Sequence, residues 1–218
     1  AALAIKDVAE LQSLSRDLPA AVGRDLCALP RLFGGVAVLD DDTVLADTRR
    51  WIEKAVIGLN LCPFAKSVYV KNQVRIVVSR ARHLDAFLDE FDRELDLLVS
   101  TPAEEIDTTL LVHPTLFPDF EVFNDFMNVV DDVVAEHELE GTVQVANFHP
   151  QFLFEGEAEN DPSHFTNRAP YPTLHLLRED SVERAVASDA GDAEKIVERN
   201  IATLRGLGAD GWAALLKS

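Results

Sequence analysis

The chain is short of most of the residue types that announce a function. Among 218 residues there are two cysteines, one methionine, two tryptophans and six lysines. The cysteines, Cys27 and Cys62, form no CxxC pair, which removes the zinc-ribbon and thioredoxin-type readings. Two isolated thiols and no apparent leader predict a cytoplasmic chain with both thiols reduced. No run of about 18 apolar residues is present, so no transmembrane helix is expected. Glycine is sparse, and GxGxxG, GxxxxGK[ST], GxSxG and HExxH are all missing. That excludes the simplest dinucleotide, P-loop, serine-hydrolase and zincin readings.

What is abundant is acid. Asp and Glu number 38 against 20 Lys and Arg, for a formal charge of −18. Such a field repels nucleic-acid backbones and anionic membranes, so neither is an expected partner. The clusters at 40–42, 104–105, 131–132 and 155–159 read as solvated surface. Abundant acid with few lysines also suits a high-salt habitat, where repulsion is screened. Hydrophobic residues make up 47%, enough for a sizeable core.

Periodicity organises the chain. Residues 1–42 read as an arm packed on the main domain, with an amphipathic helix over 1–18. Residues 43–218 read as one domain. Helical spacing runs over about 47–61, 82–99, 119–138 and 181–206. β-Branched stretches at 73–79, 108–113, 142–148 and 173–177 read as strands. The alternation predicts an α+β fold, a four-stranded mixed sheet packed with helices, of which a ferredoxin-like sandwich is the nearest guess.

Chemistry-bearing residues gather at the strand ends. Two strands finish in His-Pro, at His113-Pro114 and His149-Pro150, and a third carries His175. Proline holds its predecessor extended, so each strand runs straight into its histidine. Ligand sites of α/β sheets lie beyond strand termini. A cleft is therefore expected in which His113, His149 or His175 is the general acid or base. Cys62 is the candidate nucleophile. If Pro63 opens a new short helix, Cys62 becomes its N-cap, where a thiolate is favoured; otherwise it is a core thiol. Lys66, Asn167, Arg168 and Arg178 are the candidate substrate-binding residues, cationic or donating groups suited to an anionic small molecule.

Three function classes fit these residues. The first is a small-molecule enzyme with a His/Cys/Arg cleft acting on an anionic substrate. The second is an enzyme or binding protein in which His113, His149 and His175 hold a divalent transition metal. The third is a non-catalytic ligand-binding module, in which every histidine is hydrogen-bonded to backbone.

The motifs Asn60-Leu61-Cys62-Pro63-Phe64-Ala65-Lys66, Thr108 to Pro114, Phe148-His149-Pro150, and Thr166 to Pro172 with Leu174 to Glu179 occur in this order. Together with Phe120 and Phe123-Asn124-Asp125-Phe126, they resemble a mostly bacterial family known as domain of unknown function 1415. The likeness runs from about Thr48 to Leu204. It implies that these motifs form one unit, and it brings no activity, cofactor or catalytic residue with it.

Overall fold

The computed structural model describes residues 39–189 and 193–217. The expected helix over 1–18 lies outside these residues, as does the arm apart from residues 39–42. Two of those, Asp41 and Asp42, open the first helix, α1 (Asp41–Trp51). Asp40 caps it by accepting from the Thr43 amide at 2.7 Å, and Arg49 and Arg50 close its last turn. Acid at the start and base at the end both oppose the helix dipole.

The chain then widens into a π-helical segment, Ile52–Ile57, before Gly58. A Cβ at Gly58 would lie 2.2 Å from the carbonyl oxygen of Lys54, so only glycine fits there. A short helix, α2 (Ala65–Val70), follows. The remaining elements are β1 (Val74–Val78), α3 (Leu84–Ser100), β2 (Thr108–Val112), α4 (Phe120–Glu136) and β3 (Val143–Phe148). After these come a 3₁₀ turn (Pro162–Thr166), β4 (Thr173–Arg178), α5 (Glu179–Asp189) and α6 (Ala193–Lys217). The single helix expected over 181–206 is thus two, the second longer than foreseen. Inside α6 the helix breaks at Gly208, whose φ of 68° is natural for glycine.

The four strands form one mixed sheet in the order β1-β2-β4-β3. β1 and β2 are parallel, as a strand-helix-strand crossover through α3 requires. β4 is antiparallel to both β2 and β3 and lies between them. The α+β class and the four-stranded mixed sheet agree with the sequence reading. The sheet differs from a ferredoxin-like sandwich in two respects. Its element order is βαβαββ, where that fold runs βαββαβ, and helices cover both of its faces.

Strand alternation sorts the side chains between those faces. Val77, Leu111, Leu174, Leu176, Val143 and Val145 point toward α3 and α4. There they meet Phe87, Phe91, Leu95 and Leu98 of α3 and Phe123, Phe126, Val130 and Val134 of α4, all buried at helical spacing. Ile76, Leu110, Val112 and Phe148 point the other way, onto Trp51, Ile52 and Ala55, with Leu204 and Trp212 of α6. Phe64, Val68 and Leu177 form a smaller cluster beside Val182 and Ala185.

Candidate functional site

The histidines do not share a cleft. His113 continues the β2 alternation onto the α3/α4 side of the sheet and is almost fully buried. Its Nε2 hydrogen-bonds the Ala81 carbonyl at 2.9 Å. Its Nδ1 accepts from the amides of Leu116 at 2.7 Å and Thr115 at 3.3 Å. With Nδ1 accepting, Nε2 must carry the proton, which fixes the neutral tautomer. His149 repeats the pattern at the end of β3. Its Nε2 donates to the Phe117 carbonyl at 3.0 Å, and its Nδ1 accepts from Gln151 at 3.1 Å. Burial pushes both rings below the ordinary histidine pKa, against a weaker opposing pull from those carbonyls. A buried neutral ring with both nitrogens committed to backbone is a structural joint. His164, which the sequence reading passed over, is a third such joint, held between the Ala158 carbonyl and the Phe154 amide.

His175 lies on the opposite face of the sheet. Its Nε2 is 2.7 Å from Thr108 Oγ1, whose own proton goes to the Leu176 carbonyl at 2.6 Å. Nε2 therefore donates, and Nδ1 is left an acceptor with no hydrogen bond among the described residues. Burial alone pushes this ring down to about 4, so it is neutral near pH 7. The expected three-histidine metal site is corrected on these grounds. Two of the rings spend both nitrogens on backbone, and the third faces the other way. Among the described residues no cluster of three His, Cys, Asp or Glu side chains is placed to hold a metal ion.

Cys62 and His175 do meet at one place. Both line a cavity of about 230 Å³ between the sheet and the helices α2 and α5. Trp51, Val68, Leu110 and Phe148 supply apolar wall, and Thr108 sits beside the His175 ring. The π-helical segment contributes Ile52 and Val56, a geometry often found at functional sites. Cys62 lies ahead of the turn into α2, but Phe64 rather than Cys62 is the N-cap of that helix, so the expected N-cap position is corrected. The amides of Ala65 and Phe64 still favour the thiolate. Burial outweighs them, so the thiol pKa is raised. No hydrogen bond joins Cys62 to His175, and an activated thiolate-imidazole pair is not formed.

The candidate substrate-binding residues are dispersed. Lys66 is exposed on α2. Asn167 is part of the backbone knitting of the 149–172 loop. Its carbonyl accepts from the His149 amide, and its Nδ2 donates to the Asn147 carbonyl at 3.3 Å. Arg178 donates to the carbonyls of Leu98, Thr101 and Ile106 and so closes the C-terminal end of α3. Arg168 lies in a separate cleft with Phe165 and Trp212. None of the four lines the Cys62 cavity. The lining of that cavity therefore includes no Lys or Arg, and the four residues expected to bind an anion are not gathered there.

Residue type gave no notice of the walls. Thr108, Trp51 and Phe148 come from three elements, and only the β2-β4 register brings Thr108 beside His175. The repeated His-Pro signal was readable in another sense. Proline has no N–H, and in both motifs the ring takes the amide of the residue after the proline, a local cap.

The fold and site together define a sheet sandwiched by helices, with an apolar pocket on one face. The profile of a protein family of unknown function (DUF1415) matches residues 43–214, and the chain belongs to this family. No curated protein and no solved structure matches the chain. Among the described residues no helix is long and apolar enough to cross a membrane.

Proposed function

We propose that the protein binds a small, largely apolar, uncharged molecule in the Cys62–His175 cavity, as a ligand-binding module. The observation that supports this most is the unsatisfied Nδ1 of His175 on the wall of an otherwise apolar cavity. An apolar cavity of about 150 Å³ suffices for benzene. At about 230 Å³ this one suits a single ring with a short substituent. That nitrogen faces the cavity as an acceptor with no donor among the described residues, and a hydroxyl or N–H on the ligand would pair with it. The ring stays neutral near pH 7, which favours a neutral donor over an anion.

The test compares p-cresol with toluene, nearly the same in shape but differing in the hydroxyl. Binding is read by calorimetry, and independently by protection of Cys62 from iodoacetamide in Cys27→Ser protein. The expected result is saturable binding of both, p-cresol about tenfold tighter, with that preference lost in His175→Phe. Ala146→Phe, which fills the cavity, should abolish both. Absence of binding by either compound, or an unchanged preference in His175→Phe, would overturn the proposal.

A further inference from the structure

A second cleft, of about 350 Å³, opens where the 149–172 loop meets α1 and the end of α6. Arg168, Phe165, Trp212, Arg50, Asp47 and Pro150 line it. The Phe165 and Trp212 rings stack with an interplanar angle of 5° at 4.9 Å. The Arg168 guanidinium lies over Phe165, 5.0 Å from its centroid. Its Nε donates to the Phe152 carbonyl at 3.1 Å. The arm is thus held by a ring contact and one hydrogen bond, both made before any ligand arrives.

What the guanidinium lacks is a counter-ion. Arg75 and Arg178, also half-buried, face Glu94 at 2.6 Å and Asp107 at 4.0 Å. Arg168 has no carboxylate within ion-pair range among the described residues, in a chain of net charge −18, and its two terminal nitrogens make no hydrogen bond there. Arg50 adds a second guanidinium, shared with Asp47 at 2.7 Å. Asp47 is itself tied to Tyr171, whose hydroxyl donates to it at 2.8 Å. The wall therefore holds two cations and one anion.

We infer that this cleft is a binding site for a small monocarboxylate with a flat apolar body, its carboxylate taken by Arg168 and its body laid against the apolar wall. The planar fork of a guanidinium fits a carboxylate in a two-toothed fashion. Asp47 beside it disfavours a dianion such as phosphate. Burial of the guanidinium points the same way, since it penalises the charged form until an anion arrives. The site is independent of the Cys62 cavity, and failure of p-cresol to bind there leaves it untouched.

The probe is sodium benzoate, titrated into the full chain and followed by the Arg168 Nε–H and Trp212 Nε1–H resonances. Benzyl alcohol, of like shape without charge, and inorganic phosphate are the comparisons at constant ionic strength. The expected result is saturation by benzoate at both resonances, with benzyl alcohol and phosphate at least tenfold weaker. Arg168→Gln should weaken benzoate at least tenfold. Equal binding of benzyl alcohol or of phosphate, shifts confined to other residues, or full binding by Arg168→Gln would each overturn the assignment. Should that variant fail to fold, the benzyl alcohol comparison on the unmodified chain decides alone.

Discussion

Replacing His113 by alanine distinguishes a joint from a catalyst. The ring is about 1% exposed and makes three hydrogen bonds to backbone. It also meets Phe87 edge-on at 5.1 Å and Phe117 at 5.9 Å. Alanine would leave the Ala81 carbonyl and the Leu116 amide without partners, at about 1–3 kcal/mol for each buried group. Loss of the ring contacts adds about 1 kcal/mol, before any cavity cost. Allowing for water reaching the half-buried amides, the sum is about 4 kcal/mol, a large share of an ordinary domain's stability. Urea unfolding at pH 7.5 reads it directly, with the m-value held common. His137→Ala is the control, because that ring sits at the surface near Asp92 and Asp96 and should cost less than about 1 kcal/mol. A loss below about 1 kcal/mol for His113→Ala would refute the backbone-joint assignment and return the ring to the list of reactive groups.

Other outcomes follow from the same geometry. The folded pKa values of His113, His149 and His175 lie below the unfolded value, so the unfolded chain takes protons first as pH falls. Their contribution to stability is complete above about pH 6.5 and is lost on acidification, for His175 down to about pH 4. For that ring the loss reaches at most about 3 kcal/mol. Urea melts between pH 7.5 and 4.5 should therefore be flatter for His175→Leu than for the wild type. Thr109 is fully buried with no hydrogen-bond partner for its hydroxyl among the described residues, so Thr109→Val should raise stability by about 1 kcal/mol, seen as a higher Tm. Gly58→Ala should lower the urea midpoint and weaken p-cresol binding together, since the added methyl would press on the π-helical backbone that walls the cavity. Burial keeps Cys62 protonated, so its alkylation at pH 7.5 should run at least tenfold slower than that of a free thiol in a short peptide, and climb with pH.

The strands and the long helices were legible because their apolar residues repeat cleanly. Phe87, Phe91, Leu95 and Leu98 fall on one face only at helical spacing, and Thr108 to Val112 is short, rich in β-branched residues and followed closely by Pro114, which favours a strand. The short turn at Cys62 was readable from Pro63. The site was less so. His113, His149 and His175 looked convergent because the sequence does not show that His175 sits on the opposite face of the sheet from the other two, nor that backbone groups already occupy the nitrogens of His113 and His149. The decisive fact is the insertion of β4 between β2 and β3. It puts Thr108 beside His175, a pairing that joins residues 67 positions apart. Likewise, Arg168 and the aromatic stack around it depend on α6 folding back, after its break at Gly208, to bring Trp212 onto Phe165.

That inserted strand also governs the order in which the protein can be completed during synthesis. β4 is the last of this sheet's strands to leave the ribosome, yet it is an interior one. Until residue 178 has emerged, β2 pairs on one side only, and β3 has no neighbour in the sheet at all. A chain stalled before β4 would carry open strand edges bearing Leu110 and Leu111, an invitation to pair with another copy. The acidic stretch at 155–159 lies in the connection just ahead of β4. Every unfinished chain that reaches it therefore carries like charge close in sequence to β3, which opposes the meeting of two such chains.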